Sequence, residues 1–385
     1  MTLRAPLAEL AIVFLRLGAT AFGGPAAHIA MLRDETVDRR KWLTDREFLD
    51  IIAATNLIPG PNSTEIAIHL GYKRCGPAGL LVAGTCFILP ASLIVAAIAW
   101  SYVRYGNTPQ ATWLMYGVGP VIIAIVLQAV VKLGRTTITG VLPSLLGALV
   151  VVLSLSGVNE LALLIGSGLA AMVITLGQRR ELGAMLVPLV IASTALRAAT
   201  IAATVASVPI TLTRLTLFFL KVGSILFGSG YVLLAFLRAD LTERWGWLTD
   251  QQLIDAITVG QLTPGPVFTT ATFIGYLIGG WAGAVLATVA IFTPGFVFVA
   301  VTQSIIPRLR ASKVTSSLLD GVVVASLGLM VAVTWQLGLA AIVDVPTSVL
   351  AIATAAILLT WKPNSTWLIL GGALAGWLLR GGDAW

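Results

Sequence analysis

Charge is scarce in this sequence. Only 11% of its 385 residues are Asp, Glu, Lys or Arg, against about 25% in an ordinary soluble domain. So little polar material cannot cover a water-soluble body of this size, which excludes a soluble globular fold. Histidine is rarer still. His28 and His69 are the two present, too far apart for a zinc-binding His-Glu-x-x-His. Cys75 and Cys86 have no metal-ligand spacing. No metal and no cofactor are expected. The chain also lacks a Gly-x-Ser-x-Gly nucleophile motif and a Gly-x-x-x-x-Gly-Lys-[Ser/Thr] phosphate loop. An intramembrane enzyme and an ATP-driven pump are set aside on these grounds.

What is present is apolar. Hydrophobic residues make up 57% of the chain, with 38 glycines and 17 prolines, both commoner in transmembrane than in soluble helices. The net charge of +7 comes from Lys and Arg lying mainly in short breaks between apolar runs. That is the pattern of orientation-setting charge and not of nucleic-acid binding. The partner implied is the lipid bilayer, and a homo-oligomer is compatible with the sequence.

A helix needs about 20 apolar residues to cross the hydrocarbon core. Candidate spans are 8–30, 78–103, 111–131, 137–155, 159–177, 183–206, 211–237, 281–306, 314–335, 338–361 and 364–380. Residues 7–32 lack a small-residue cleavage site and read as a first span, not a leader. Segments 48–72 and 251–276 are ambiguous, because each is interrupted by Pro-Gly-Pro. The expected class is an all-α polytopic membrane protein.

An internal repeat organises the chain. At an offset of 205, residues 14–61 match 219–266 without a gap. Phe22-Gly23 meets Phe227-Gly228, Trp42-Leu43-Thr44-Asp45 meets Trp247-Leu248-Thr249-Asp250, and Pro59-Gly60-Pro61 meets Pro264-Gly265-Pro266. After one deletion, Gly71-Tyr72 meets Gly275-Tyr276 and Pro90 meets Pro294. Two homologous halves follow, 1–206 and 207–385. Their relative orientation depends on whether 48–72 crosses the membrane or re-enters. The clustering of loop charges favours inverted halves, with the broken segments at the centre.

Several residues can carry chemistry. In Pro-Gly-Pro the first proline disfavours helix before it, and the second suits the first position of a new helix. Each break therefore starts a helix inside the membrane. Its first amides lack intrahelical partners and must face protein, water or a ligand. Such an N-terminus favours an anion. The residues presented are Asn62, Ser63 and Thr64 in one half and Thr269 and Thr270 in the other. A packing kink is the structural alternative. Arg16 and Lys221 occupy one repeat position in the middle of the first span of each half, where a cation is costly unless it has a function. Together they match a divalent anion. Snorkelling or a structural ion pair is the alternative. Gly23-Gly24 and Gly228-Ser229-Gly230 either expose amides or permit close packing. Glu65 and His69 lie four apart on one helix face and are candidates for proton coupling. Trp42-Leu43-Thr44-Asp45 reads as an interfacial helix start.

The run Phe22-Gly23-Gly24-Pro25-Ala26-Ala27-His28-Ile29-Ala30, then Arg39-Arg40-Lys41-Trp42-Leu43, Pro59-Gly60-Pro61 and Gly71-Tyr72, resembles the chromate ion transporter family. The second half, with Phe227-Gly228-Ser229-Gly230 and Pro264-Gly265-Pro266, is similar to the long, internally duplicated members. The resemblance implies halves of opposite orientation and secondary export of chromate from the bacterial cytoplasm across the cytoplasmic membrane. It implies the membrane potential or a proton gradient as the driving force, and sulfate as a competing analogue.

Overall fold

The computed structural model describes residues 4–21, 24–55, 58–106, 108–138, 140–177, 209–226, 232–302, 313–361 and 365–381. Among the described residues the regular structure is entirely helical, with 14 α-helices. The predicted span 183–206 and the predicted boundary at 206/207 lie outside them.

The first half opens with α1 (Arg4–Thr20) and α2 (Gly24–Arg33), the latter continuing as a π-helical stretch, Asp34–Arg39. One continuous helix was expected over 8–30. Instead the chain turns back between α1 and α2, because Arg16 pairs with Glu35, and Arg40 at the end of the return arm pairs with Glu9 at the start of α1. Those pairs require antiparallel arms. Pro25, in the first turn of α2, suits the helix start after the reversal.

Next come α3 (Asp45–Thr55) and α4 (Asn62–Tyr105). Thr44 caps α3 in a capping box: its hydroxyl accepts from the Glu47 amide at 3.3 Å, and the Glu47 carboxylate accepts from the Thr44 amide at 2.8 Å. Segment 48–72 does not cross either. Lys73 reaches Glu47 at 2.7 Å, so α3 and the first arm of α4 are a second antiparallel pair. At Cys75 and Gly76 the backbone leaves the helical region, and α4 divides into arms 62–74 and 77–105. The arms lie back to back. A Cβ built on Gly71 would be 2.2 Å from the Gly79 carbonyl oxygen, and one on Gly79 would be 2.1 Å from that of Gly71. The 11 residues of α3 extend about 16 Å at 1.5 Å each. That is half of a hydrocarbon core about 30 Å thick. Both hairpins of this half therefore enter from the side of Glu9, Arg40, Glu47 and Arg74 and end near mid-membrane. The second arm of α4 runs on across the bilayer, and α5 (Pro109–Thr137), α6 (Val141–Leu155) and α7 (Glu160–Gly177) complete the half.

The second half repeats the pattern. It comprises α8 (Leu212–Ile225), α9 (Leu233–Leu237) with a π-helical stretch Arg238–Arg244, and α10 (Asp250–Leu262). Then come α11 (Thr270–Thr302), α12 (Lys313–Ala341), α13 (Val345–Thr360) and α14 (Ser365–Gly381). Predicted span 211–237 also folds back, since Lys221 pairs with Asp240 at 2.6 Å and the rings of Phe218 and Trp245 meet at 5.4 Å. Thr249 and Gln252 form the second capping box. The reversal in α11 has the same backbone as that in α4: Gly279 and Gly280 stand at φ/ψ −137/20 and 58/−148, Cys75 and Gly76 at −139/20 and 61/−150. Among the described residues, four helices are long and apolar enough to cross a membrane, 62–105, 112–135, 267–302 and 317–341.

Equivalent helices of the two halves meet antiparallel. On α5 and α12, Gly119 approaches Ala341, Ile123 approaches Gly338, and Gly134 approaches Leu327. On α4 and α11, Leu80 clusters with Val299 and Gly84 meets Phe296. One index rises as the other falls in both cases. The two-fold axis relating the halves therefore lies in the membrane plane, and the repeats are inverted. The halves also exchange their ends. A Cβ on Gly117 of α5 would be 2.0 Å from the Gly372 carbonyl of α14, and one on Gly321 of α12 would be 2.4 Å from the Ser167 carbonyl of α7. Small residues allow this backbone contact, on which helix association in lipid depends.

Candidate functional site

Four hairpin tips converge where the halves meet. The Gly60 amide donates to the Leu226 carbonyl at 2.7 Å, and the Gly265 amide donates to the Ala21 carbonyl at 2.9 Å. These two bonds are images of each other under the repeat. Each joins the Pro-Gly-Pro break of one half to the first hairpin tip of the other. The glycines are needed there. Gly60 has φ 141 and Gly265 φ 93, backbone that side chains strain to adopt. A Cβ on Gly265 would also lie 2.7 Å from that of Ala91. Pro59, Pro61, Pro264 and Pro266 flank these contacts. The expected breaks at 59–61 and 264–266 are present, with helix resuming at Asn62 and, after a 3-10 turn at Val267–Thr269, at Thr270.

The first turn of α4 has no side-chain cap, and its first intrahelical bonds run from the Thr64 and Glu65 amides to Pro61. Above it, His28 joins the two tips of its half. Nε2 lies 2.9 Å from the Ala21 carbonyl oxygen, which makes Nε2 the protonated nitrogen, so Nδ1 accepts from the Ser63 hydroxyl at 3.2 Å. The Ser63 proton is thereby spent. Thr55 donates to the Asn62 side-chain oxygen at 3.0 Å. The Thr64 hydroxyl is buried without a hydrogen-bond partner. Glu65 is fully buried at the base of this turn, and neither carboxylate oxygen has a hydrogen-bond partner. His69 is buried one turn further on.

The second half is chemically different at the same place. Thr269 donates to the Pro266 carbonyl and Thr270 to the Val267 carbonyl, each at 2.8 Å. Both hydroxyl protons are therefore committed to the chain's own turn. A small cavity beside them, with room for about one water, is lined by Leu233, Leu234, Ile257, Gln261, Val267 and Thr270. Gly24 opens α2 beside the first tip. Gly23, Gly228, Ser229 and Gly230 lie outside the described residues.

Arg16 and Lys221 are not in the middle of a span, because that span is a hairpin. Each sits a turn outward of its tip and is held by a carboxylate on the return arm. Arg16 bonds Glu35, which also accepts from Arg40 at 2.6 Å. Lys221 bonds Asp240, which also accepts from Arg244. Glu35 and Asp240 are 4% and 2% exposed, whereas Arg16 and Lys221 are half-exposed. Each buried carboxylate thus binds two cations, and Arg40 is shared with Glu9. The two carboxylates were missed in the sequence, although they occupy one repeat position at the offset of 205. That coincidence of charge was the available signal.

The chromate transporter family model matches this chain twice, over residues 8–174 and 213–377. A chromate transport protein of Cupriavidus metallidurans is 33% identical over 373 residues, 95% of this chain and 91% of the relative. One from Pseudomonas aeruginosa is 34% identical over 385 residues, again 95% and 91%. A probable chromate transport protein of Synechococcus elongatus is 31% identical over 366 residues, 92% and 90%. No solved structure matches. With both halves matched, and with their re-entrant hairpins laid out as inverted images, this multi-pass membrane protein belongs to the chromate transporter family.

Proposed function

We propose that this protein exports chromate across the cytoplasmic membrane, binding the dianion where the four hairpin tips converge. The reciprocal bonds from Gly60 to Leu226 and from Gly265 to Ala21 carry this reading. They bring two helix N-termini to one place at mid-membrane, from opposite sides. Free amides at a helix start and the positive end of its dipole favour an anion. On this reading the α4 start supplies the backbone amides of Asn62 and Ser63 and the Thr64 hydroxyl, and the α11 start supplies the backbone of Thr269 and Thr270. Gly23, Gly24, Gly228, Ser229 and Gly230 are further donors to the anion on this reading. Arg16 and Lys221 draw the anion in, one from each side, as an inverted pair serves alternating access.

Export follows from charge. A dianion leaving a cell with a negative interior gains about 2.3 kcal/mol per charge per 100 mV. No nucleotide is needed, and none of the sequence motifs for one is present. Sulfate has the same shape and charge and competes for the same donors. Everted membrane vesicles and labelled anions provide the test. Chromate should accumulate in vesicles holding this protein when the lumen is made positive, and unlabelled sulfate should reduce the uptake. Sulfate uptake without chromate uptake would reassign the substrate, and uptake only with a negative lumen would reverse the direction.

A further inference from the structure

Glu65 has no counterpart in the other half. At its repeat position stands Thr270, whose hydroxyl is satisfied by Val267. Glu65 is 0% exposed, and both its oxygens lack a hydrogen-bond partner. It lies beneath the break of its own half, since a Cβ on Gly60 would be 2.1 Å from its Oε1. It also faces the other half, where a Cβ on Gly295 would be 3.7 Å from its Cγ. The carboxyl is therefore enclosed between a helix start and the interface of the two inverted halves.

Titratable and charged groups on the surrounding elements are few. His69 is one turn on along α4, and His28 on α2 reaches Ser63. The facing stretch of α11, Thr293 to Phe298, has none. On α1 and α8, Arg16 and Lys221 are bound to Glu35 and Asp240. On α10, Asp255 is held by Tyr102 at 2.6 Å. Among the described residues no cation is thus placed to neutralise Glu65 directly. An ionised carboxylate in such an enclosure is unfavourable without a partner. A dianion arriving at the same helix start makes it more so, because like charges within one turn repel.

We propose that Glu65 is a proton site coupled to the anion. The carboxyl holds a proton while the dianion occupies the α4 start and releases it to water once the anion has left. One proton then crosses with each dianion, and the net charge moved per turnover is one instead of two. This rests on the anion site proposed above.

The experiment uses the full chain in proteoliposomes, at a pH where the free anion is wholly divalent. Reversal potentials measured against chromate gradients give the charge moved per anion. Wild type should move one charge, and its flux should respond to a pH gradient. Glu65→Gln, which keeps the neutral shape, should move two and lose the response. Glu65→Asp should keep the coupling. Two charges in wild type, or a pH response undiminished in Glu65→Gln, would overturn the proposal. If Glu65→Gln does not transport, proton uptake by the purified protein on adding chromate decides. At a pH alkaline enough to ionise Glu65 in the anion-free protein, wild type should take up about one proton per anion bound and Glu65→Gln none, and no uptake by wild type across the alkaline range refutes it. Failure of wild type to move chromate at all counts instead against the function.

Discussion

Each cation near the tips can be removed without leaving a bare buried charge. In Arg16→Ala, Glu35 keeps Arg40, and in Lys221→Ala, Asp240 keeps Arg244. The fold should lose only about 1.5–3 kcal/mol, the worth of a hydrogen bond to a charged group. Transport should fall about tenfold or more in each variant, since about 1.4 kcal/mol of lost anion attraction is already a factor of ten. Chromate flux into vesicles, with protein level measured in the same membranes, checks this. Removing Glu35 or Asp240 is a different matter, because each binds two cations. Gly60 offers a sharper test. In Gly60→Ala the new methyl would meet Glu65, whereas in Gly265→Ala it would meet Ala91. Both should lower thermal stability in detergent, by about 1–3 kcal/mol for the strained backbone. Adding Glu65→Ala should restore part of the loss in the first variant and none in the second. At this scale Arg16 and Lys221 stood out in the sequence as cations in apolar runs. Their partners did not, because Glu35 and Asp240 sit in charge-rich stretches that read as loops. The hydroxyls of Thr269 and Thr270 were expected to face an anion. Whether a hydroxyl proton serves its own turn depends on local geometry that residue type does not reveal.

At the scale of the helix, Pro-Gly-Pro was legible for a physical reason. A proline removes an amide and fixes φ, so it marks a break in any context. The reversals between α1 and α2 and at Cys75-Gly76 were harder to read. Residues 8–30 are apolar over a full membrane thickness. A length criterion cannot tell one crossing from two half-crossings that cover each other's polar backbone. The Cys75-Gly76 reversal works through the contact of Gly71 with Gly79 beside it, and Gly279-Gly280 works through Gly275 with Gly283. Each contact leaves no room for a side chain. Gly79→Val and Gly283→Val should therefore each lower the detergent melting temperature. Gly140→Ala, where a Cβ would meet nothing within 4 Å, should cost only the strain of its positive φ. Thermal unfolding of the purified variants provides the comparison.

For the whole molecule, the antiparallel pairing of α5 with α12 makes a concrete forecast. A Cβ built on Gly119 would lie 3.5 Å from that of Ala341, within the range that a disulfide spans. With Cys75 and Cys86 replaced, Gly119→Cys combined with Ala341→Cys should crosslink on mild oxidation. Gly119→Cys with a cysteine at Lys313, at the far end of α12, should not. Failure of the Gly119/Ala341 pair to crosslink would count against the inverted arrangement. The inversion was favoured on a span count that took both 8–30 and 48–72 as crossings; neither crosses, and because the two errors cancel in parity the inverted arrangement stands. The exchange of ends was not legible, because repeat spacing carries no information on which copy a helix packs against.

That exchange has a consequence for how the chain is made. The face of α5 that receives α14 is synthesised more than two hundred residues before its cover. At about 5–20 residues per second, it waits some tens of seconds in the bilayer. α7 likewise waits for α12. A ribosome stalled between the halves therefore leaves a half-protein with its glycine seams open, the state in which membrane quality control or a stray second copy would meet it.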